Sequence, residues 1–354
     1  MPHLVVSISG HGFGHVAQTA PVLNALHRMM PQLHLTVRST VPLAHLHSRI
    51  KAPFEHLSSE GDIGMAMSSA VDILVEESRA AYRAFHADWE GRIAKEARLL
   101  DEIGANMVLS NAGYLPLAGA QRAGIPNAAL CSLNWFDIYR HYCGDDSIAA
   151  QIHVCYANAD AFLRIAPGLA MEHLPNIVPI APIADAGSNR RDELDRHLRL
   201  SKKEKLVLVS MGGIAGRLPI ERWPRIGGMR WLVQQDWRVE HPDAIIIESL
   251  PMSFSDLLSS SDALICKPGY GSFVEAACSG TPVLYVSRAD WPETPALAGW
   301  LKQHSLCREV SRDALELGNF AGALEEICNA PHRKPVIPEG ADQAANWIVE
   351  RLQG

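Results

Sequence analysis

Residues 4–15 read Leu4-Val5-Val6-Ser7-Ile8-Ser9-Gly10-His11-Gly12-Phe13-Gly14-His15, and residues 263–272 read Ala263-Leu264-Ile265-Cys266-Lys267-Pro268-Gly269-Tyr270-Gly271-Ser272. Each is a short apolar run that stops at a glycine-rich turn and passes into a stretch of helical period. After the first, Val16, Leu23, Leu26 and Met30 fall on one helical face, and Pro31 ends the pattern. A strand that runs through a glycine turn into a helix opens a βαβ unit, in which the strands lie parallel. Two such openings, one in each half of the 354 residues, predict an α/β protein with two Rossmann-like domains.

Working outward, the first half continues the alternation. Strands are expected at 33–37, 107–110, 125–130 and 161–163, and helices at 115–123 and 148–157, with one long charged helical stretch over 73–103. Pro175, Pro179 and Pro182 then interrupt any ladder or helix, so 174–185 reads as the linker. Beyond it come a helix at 192–200, strands at 205–210, 244–247, 263–266 and 282–286, and helices at 297–304, 321–329 and 343–352. The domains are placed at 1–180 and 181–339.

Composition agrees with this division. At 47% hydrophobic and 20% charged the chain is not disordered. Its 354 residues exceed the roughly 250–300 at which one core stops growing, and two domains create a cleft of the kind that binds small ligands. The net charge of -7, with no basic run, argues against nucleic acid as a partner. The seven cysteines are scattered without a Cys-x-x-Cys pair, so neither a disulfide framework nor a zinc ribbon is suggested, and a reducing cytoplasmic location is expected. The first nine residues lack a basic signal-peptide region. No apolar run reaches a membrane span of about 18 residues, although peripheral membrane contact stays open.

The chemistry is expected in the two glycine turns. In the first, Gly12 and Gly14 permit close backbone approach at a helix N-terminus. The dinucleotide fingerprint spacing and the acidic residue after the second strand are both missing, as is the P-loop lysine. NAD binding and P-loop ATP hydrolysis are therefore disfavoured. Two histidines occupy this turn, and His titrates near neutrality and serves as a general base. His15, ahead of His11, is the candidate, because it falls at the carboxyl edge of a parallel sheet, where substrates bind. The plainer reading is a surface His beside a tight turn. In the second turn, Gly269, Tyr270, Gly271 and Ser272 can receive a phosphate. Glu275, one turn further on, can accept from ribose hydroxyls, or is simply a solvated helix residue. Asn134 and Trp135 follow a strand and are candidates for an acceptor floor, or for core packing. His27, His34, His45, His47 and His56 lack metal-ligand spacing, so no metal site is assigned. Trp223, Trp231 and Trp237 are read as packing, and Arg190-Arg191 and Lys202-Lys203 as solvated faces.

The run from Ser253 to Val286, with the Gly-Tyr-Gly turn, Glu275-Ala276-Ala277 and Gly280-Thr281-Pro282, resembles the donor-nucleotide motif of GT-B glycosyltransferases, and Gly14-His15 resembles the Gly-His of their first loop. The peptidoglycan N-acetylglucosaminyltransferase and the plant and antibiotic sugar transferases share this arrangement. A closer similarity is to the glycosyltransferase-like half of L-arabinokinase and its bacterial relatives. It lies in 9–15, in Asn134-Trp135-Phe136-Asp137-Ile138-Tyr139, in Lys267-Pro268-Gly269-Tyr270-Gly271 and in Arg288-Ala289-Asp290-Trp291-Pro292-Glu293. No kinase-type Gly-Leu-Ser-Ser-Ser loop is present, so sugar-kinase activity is not implied. Asn111 stands where related sequences tend to carry Asp. The Asp/Glu-Gln pair that grips the donor sugar in many such enzymes is absent, and Asp290 and Glu293 occupy that region.

The resemblance implies a GT-B fold, two Rossmann-like domains facing each other across a cleft. The acceptor would bind the N-terminal domain and the nucleotide the C-terminal one, with a last helix, over 340–354, packing back on the first. Gly212 and Gly213 would line the diphosphate, Lys267 and Arg288 would neutralise its charge without a metal, and Asp290 would lie near the donor sugar. His15 would deprotonate an acceptor hydroxyl that attacks the anomeric carbon with inversion. The donor is expected to be a nucleotide-diphosphate sugar, UDP-linked by preference, with no cofactor and an unknown acceptor. Two other readings stay open: a nucleotide-sugar hydrolase or epimerase, and a nucleotide-sugar-binding module without turnover.

Overall fold

The near-continuous apolar runs of this sequence form strands covered on both faces, as fully buried parallel sheets require. The computed structural model describes all residues except 60, 70, 213–216, 289, 332 and 354. The chain divides into two units: Met1–Ser68 with Asp72–Ile183 and Glu339–Gly354, and Ala184–Pro338 with Ser69–Val71.

The first unit holds strands β1 (His3–Ile8), β2 (His34–Arg38), β3 (Glu55–Leu57), β4 (Met107–Asn111), β5 (Asn127–Cys131), β6 (Ala161–Ile165) and β7 (Ile177–Ile180). They form one parallel sheet in the order β3-β2-β1-β4-β5-β6-β7. The order reverses between β1 and β4, whose carboxyl ends are in register, Ile8 opposite Asn111. In such sheets ligands bind at this reversal. β1, β4 and β5 are buried at every position. Charge is also buried here: Arg38 at the end of β2 is 1% exposed, and its guanidinium forms a two-point ion pair with the buried Glu96.

The second unit holds β8 (Lys205–Ser210), β9 (Met229–Val233), β10 (Ala244–Ile246), β11 (Ala263–Cys266), β12 (Val283–Val286) and β13 (Cys307–Val310). Their order is β10-β9-β8-β11-β12-β13, again parallel, with the reversal between β8 and β11. Its core joins Val207, Val209, Ile265 and Leu284 to Trp223, Trp231 and Phe320. The Trp223 ring lies edge-on to Trp231 and Phe320 at 5.2 and 4.8 Å.

Several elements differ from the sequence expectation. The long helical stretch is two helices, Val75–His86 and Trp89–Glu102. They part at Asp88, whose side chain accepts from the Gly91 N–H at 3.2 Å and caps the second. The proline-rich stretch contains a strand, β7, with Pro179 inside it. β7 is the edge strand, paired only with β6, and an edge strand can turn a residue without N–H away from its neighbour. Asn134–Asp137, for which the sequence suggests an acceptor floor or core packing and no helix, opens the helix Trp135–Cys143. Arg191 is not a solvated residue: it pairs with Asp195 and Asp262. The last helix runs from Gly340 to Gln353 and belongs to the first unit.

Candidate active site

The turn after β1 is built from close approaches. A Cβ on Gly10 would lie 2.1 Å from Thr40 Oγ1, and Gly12 has φ +85°, so both positions require glycine. The Ser9 N–H donates to the Asn111 carbonyl at 3.2 Å, which ties the turn to the end of β4. The Ser9 hydroxyl donates to Asp62 Oδ1 at 3.0 Å. The helix Gly14–Met29 then places His15 in its first turn.

His15 is 5% exposed. Its Nδ1 meets Asn111 Oδ1 at 2.7 Å, and the Cys131 sulfur lies 3.9 Å from the same nitrogen. Asn111 Nδ2 donates to Thr19 Oγ1 at 2.9 Å and to Gln18 Oε1 at 3.1 Å. Thr19 donates to the His15 carbonyl at 2.8 Å, and Gln18 Nε2 donates to Ser132 Oγ at 2.8 Å. Burial pushes the His15 imidazole down from its usual range to about 4, against the Asn111 hydrogen bond, which acts the other way. At neutral pH the ring is uncharged, the form a general base needs. Trp135 is completely buried. Its ring lies edge-on to His11 at 5.1 Å and tilted to His15 at 6.2 Å, so the two histidines and the tryptophan are one cluster. Asn134 is engaged elsewhere: its Oδ1 accepts from the Asp137 N–H at 2.7 Å and caps the following helix.

Asp62, which the sequence analysis does not single out, joins this site. It is 6% exposed, and its flanking glycines press on the same loop. A Cβ on Gly64 would fall 2.7 Å from His11 Cδ2, and one on Gly61 2.5 Å from Ser7 Oγ. A glycine-aspartate-x-glycine run between a strand and a helix was the only available hint.

In the second unit the corresponding edge is cationic. Gly212 follows β8 with φ +77°, and a Cβ there would stand 3.5 Å from Lys267 Cε. Gly213 lies outside the described residues. Lys267 follows β11, and a Cβ on Gly269 would be 3.8 Å from its Nζ, so the ammonium sits over both turns. Burial, and next the Arg288 charge, lower the Lys267 ammonium to about 8. Arg288, after β12, is 5% exposed and stacks its guanidinium 4.4 Å from the Trp291 ring centre. The Trp291 indole N–H donates to Glu293 at 3.4 Å. The helix Tyr270–Ser279 starts here with Gly271 and Ser272 in its first turn. Glu275 is only 2% exposed inside that helix, not a solvated face, and Asp290 is exposed. Two cations thus stand on adjacent strand ends beside a helix N-terminus, with the buried Glu293 acting on Lys267 in the opposite sense, an arrangement that can receive an anion.

No protein-family model matches the chain. Among curated proteins, L-arabinokinase of Arabidopsis thaliana is 23% identical over 99% of this chain, which spans 35% of that protein's length. Among solved structures, the glycotransferase of kitacinnamycin superposes with a TM-score of 0.65 at 14% identity, covering 99% of both chains. LpCGTa, solved with UDP, gives 0.60 at 16% identity over 100% of both chains. A putative UDP-N-acetylglucosamine 2-epimerase from Listeria monocytogenes gives 0.55 at 14% identity over 100% of this chain and 96% of that one. With its two parallel sheets, each reversing at its first strand, this chain has the fold of the GT-B glycosyltransferases.

Proposed function

We propose that the protein is an inverting, metal-independent glycosyltransferase that uses a uridine-diphosphate sugar. The observation that carries this is His15: a buried, uncharged imidazole at the reversal point of the first sheet, fixed by a side-chain network and set at the end of a glycine turn. Its Nε2 takes the proton of the acceptor hydroxyl as that oxygen forms the new bond to the anomeric carbon. The bond from that carbon to the diphosphate oxygen breaks, and the electron pair leaves with the diphosphate. Lys267 and Arg288 offset the charge that develops there, together with the N–H groups at Gly271 and Ser272. His11 lines the acceptor side, backed by the buried Trp135 ring. The similar fold of a structure solved with UDP supports the choice of carrier. The seven cysteines are all free thiols, which supports a cytoplasmic setting. Among the described residues no helix is long and apolar enough to cross a membrane.

The test is release of UDP from a panel of UDP-sugars, with and without hydroxylated acceptors. The expected result is acceptor-dependent release that disappears in His15→Ala while UDP still raises the Tm. Unchanged turnover in that variant removes His15 as the base, and failure to bind any nucleotide or nucleotide sugar ends the reading. The epimerase-like fold match favours one second reading, hydrolysis or epimerisation of the donor. Free sugar or an epimer formed from donor alone would select it.

A further inference from the structure

We infer that Asn111 is a positioning residue that locks His15 in the Nδ1–H tautomer, so that the base works from Nε2 beside a neutral amide rather than a carboxylate. The inference deepens the transferase reading and rests on it for its kinetic consequence alone.

The hydrogen-bond directions follow from one group that cannot be misassigned. The His15 carbonyl only accepts, so the Thr19 hydroxyl at 2.8 Å spends its single proton there. Towards Asn111, 2.9 Å away, Thr19 Oγ1 can therefore only accept, and the amide group facing it must be the NH2. The same NH2 has a second acceptor in Gln18 Oε1 at 3.1 Å, and Gln18 is oriented in turn by its own donation to Ser132. The other end of the Asn111 amide, Oδ1, is then what meets His15 Nδ1 at 2.7 Å. An amide oxygen only accepts, so Nδ1 carries the proton, and in the neutral ring the lone pair is on Nε2. All five residues of the network are buried, which makes a reversed amide costly because it would set two donors or two acceptors against each other.

The consequence concerns charge. A carboxylate at position 111 would stabilise the imidazolium that forms on proton transfer and hold the ring partly charged near neutrality. The amide fixes the same tautomer without doing so. The titratable groups that face His15 from neighbouring elements are Cys131 at the end of β5 and His11 across the Trp135 ring, while Asp62 is bonded to Ser9 at the start of the turn. Burial and Asn111 are the causes acting on the His15 titration, with no charged side chain among them. The base therefore stays unprotonated through mildly acidic pH.

The experiment is 15N-resolved NMR of the histidine rings between pH 4 and 8, on the unliganded protein and on Asn111→Asp. His15→Asn identifies the resonance. The expected wild-type spectrum at pH 7 shows His15 protonated at Nδ1 and bare at Nε2, with no titration above pH 5.5. In Asn111→Asp the same tautomer persists, and the midpoint rises by about 1–3 pH units. An Nε2–H tautomer or a wild-type midpoint near the ordinary histidine value overturns the inference, and the wild-type spectrum decides this even if the variant does not fold. An unmoved midpoint in a folded Asn111→Asp also overturns it. Should the spectrum agree but no nucleotide sugar be bound or turned over, the transferase reading fails and the assignment of Asn111 stands. If turnover is found, the acid limb of the kcat profile should shift upward in Asn111→Asp with the NMR midpoint.

Discussion

The carboxyl ends of β1 and β4 in the first unit and of β8 and β11 in the second are the same place in the same topology, yet they carry opposite chemistry. The first is filled by a neutral network, His15, Asn111, Thr19, Gln18 and Ser132, whose hydrogen bonds leave no net charge. The second sets Lys267 over the glycine turns at 212 and 269 and Arg288 on the Trp291 ring, close enough for its charge to act on Lys267, with the buried Glu293 as their acidic neighbour. A doubly wound sheet fixes where a ligand can sit. The residue that ends each strand decides what the ligand meets: an uncharged proton acceptor in one case, a pair of cations in the other.

The sharpest way to break this contrast is to delete each side separately. His15→Ala should lower turnover by about 10²–10⁴-fold, the range for a general base, while UDP affinity measured by calorimetry stays within twofold, roughly the noise of one neutral change away from the ligand. A matching loss of affinity would mean the two sites are not divided as argued.

The next effect is on stability. His15 titrates at about 4 in the folded protein and near 6.5 when free, so between those values the unfolded chain binds the extra proton. Stability from this group is intact above pH 6.5 and declines as the pH falls towards 4, by about 3 kcal/mol in all. Urea unfolding at pH 7 and pH 4.5 should show a smaller acid loss in His15→Asn than in the parent. An equal loss would mean that the ring is not held neutral.

Arg288→Met should weaken UDP binding by roughly 10–100-fold, the worth of a charge-assisted hydrogen bond of about 1.5–3 kcal/mol, and leave the His15 NMR signals unmoved. A shift in those signals would argue that the two edges are coupled.

The smallest effect is the pH trend of that affinity. Lys267 loses its proton near 8, so UDP binding should weaken as the pH rises, by up to about tenfold between pH 8 and 9. The trend should vanish in Lys267→Met, and a flat parent profile would remove the lysine from the diphosphate site.

The sequence reading was strongest where a local rule operates. The turn at 9–15 was legible because glycines beside a strand end and a helix start have few other uses, and Trp223 and Trp231 read as core because large aromatics rarely do otherwise. What escaped it depends on pairing between distant residues. β7 was hidden by Pro179, since nothing local says that the segment lies at a sheet edge. The break at Asp88 was hidden because charged helical periodicity runs on through it. Asn111 could be seen to differ from the usual acid, but its bond to His15 spans 96 positions and depends on the register of β1 with β4. Asp62 reaches Ser9 across 53 positions from a stretch with no periodicity at all.

The helix Gly340–Gln353 carries a consequence for assembly. It packs against the helix Gly14–Met29 and buries Ala344, Ala345 and Ile348, and its start is tied to the strand exit by Gly340 N–H to the Pro182 carbonyl at 3.0 Å. On the ribosome the second unit is therefore synthesised whole before the first has its last helix, which leaves an apolar groove on the older part of the nascent chain. That groove closes only when the final residues of the helix leave the exit tunnel.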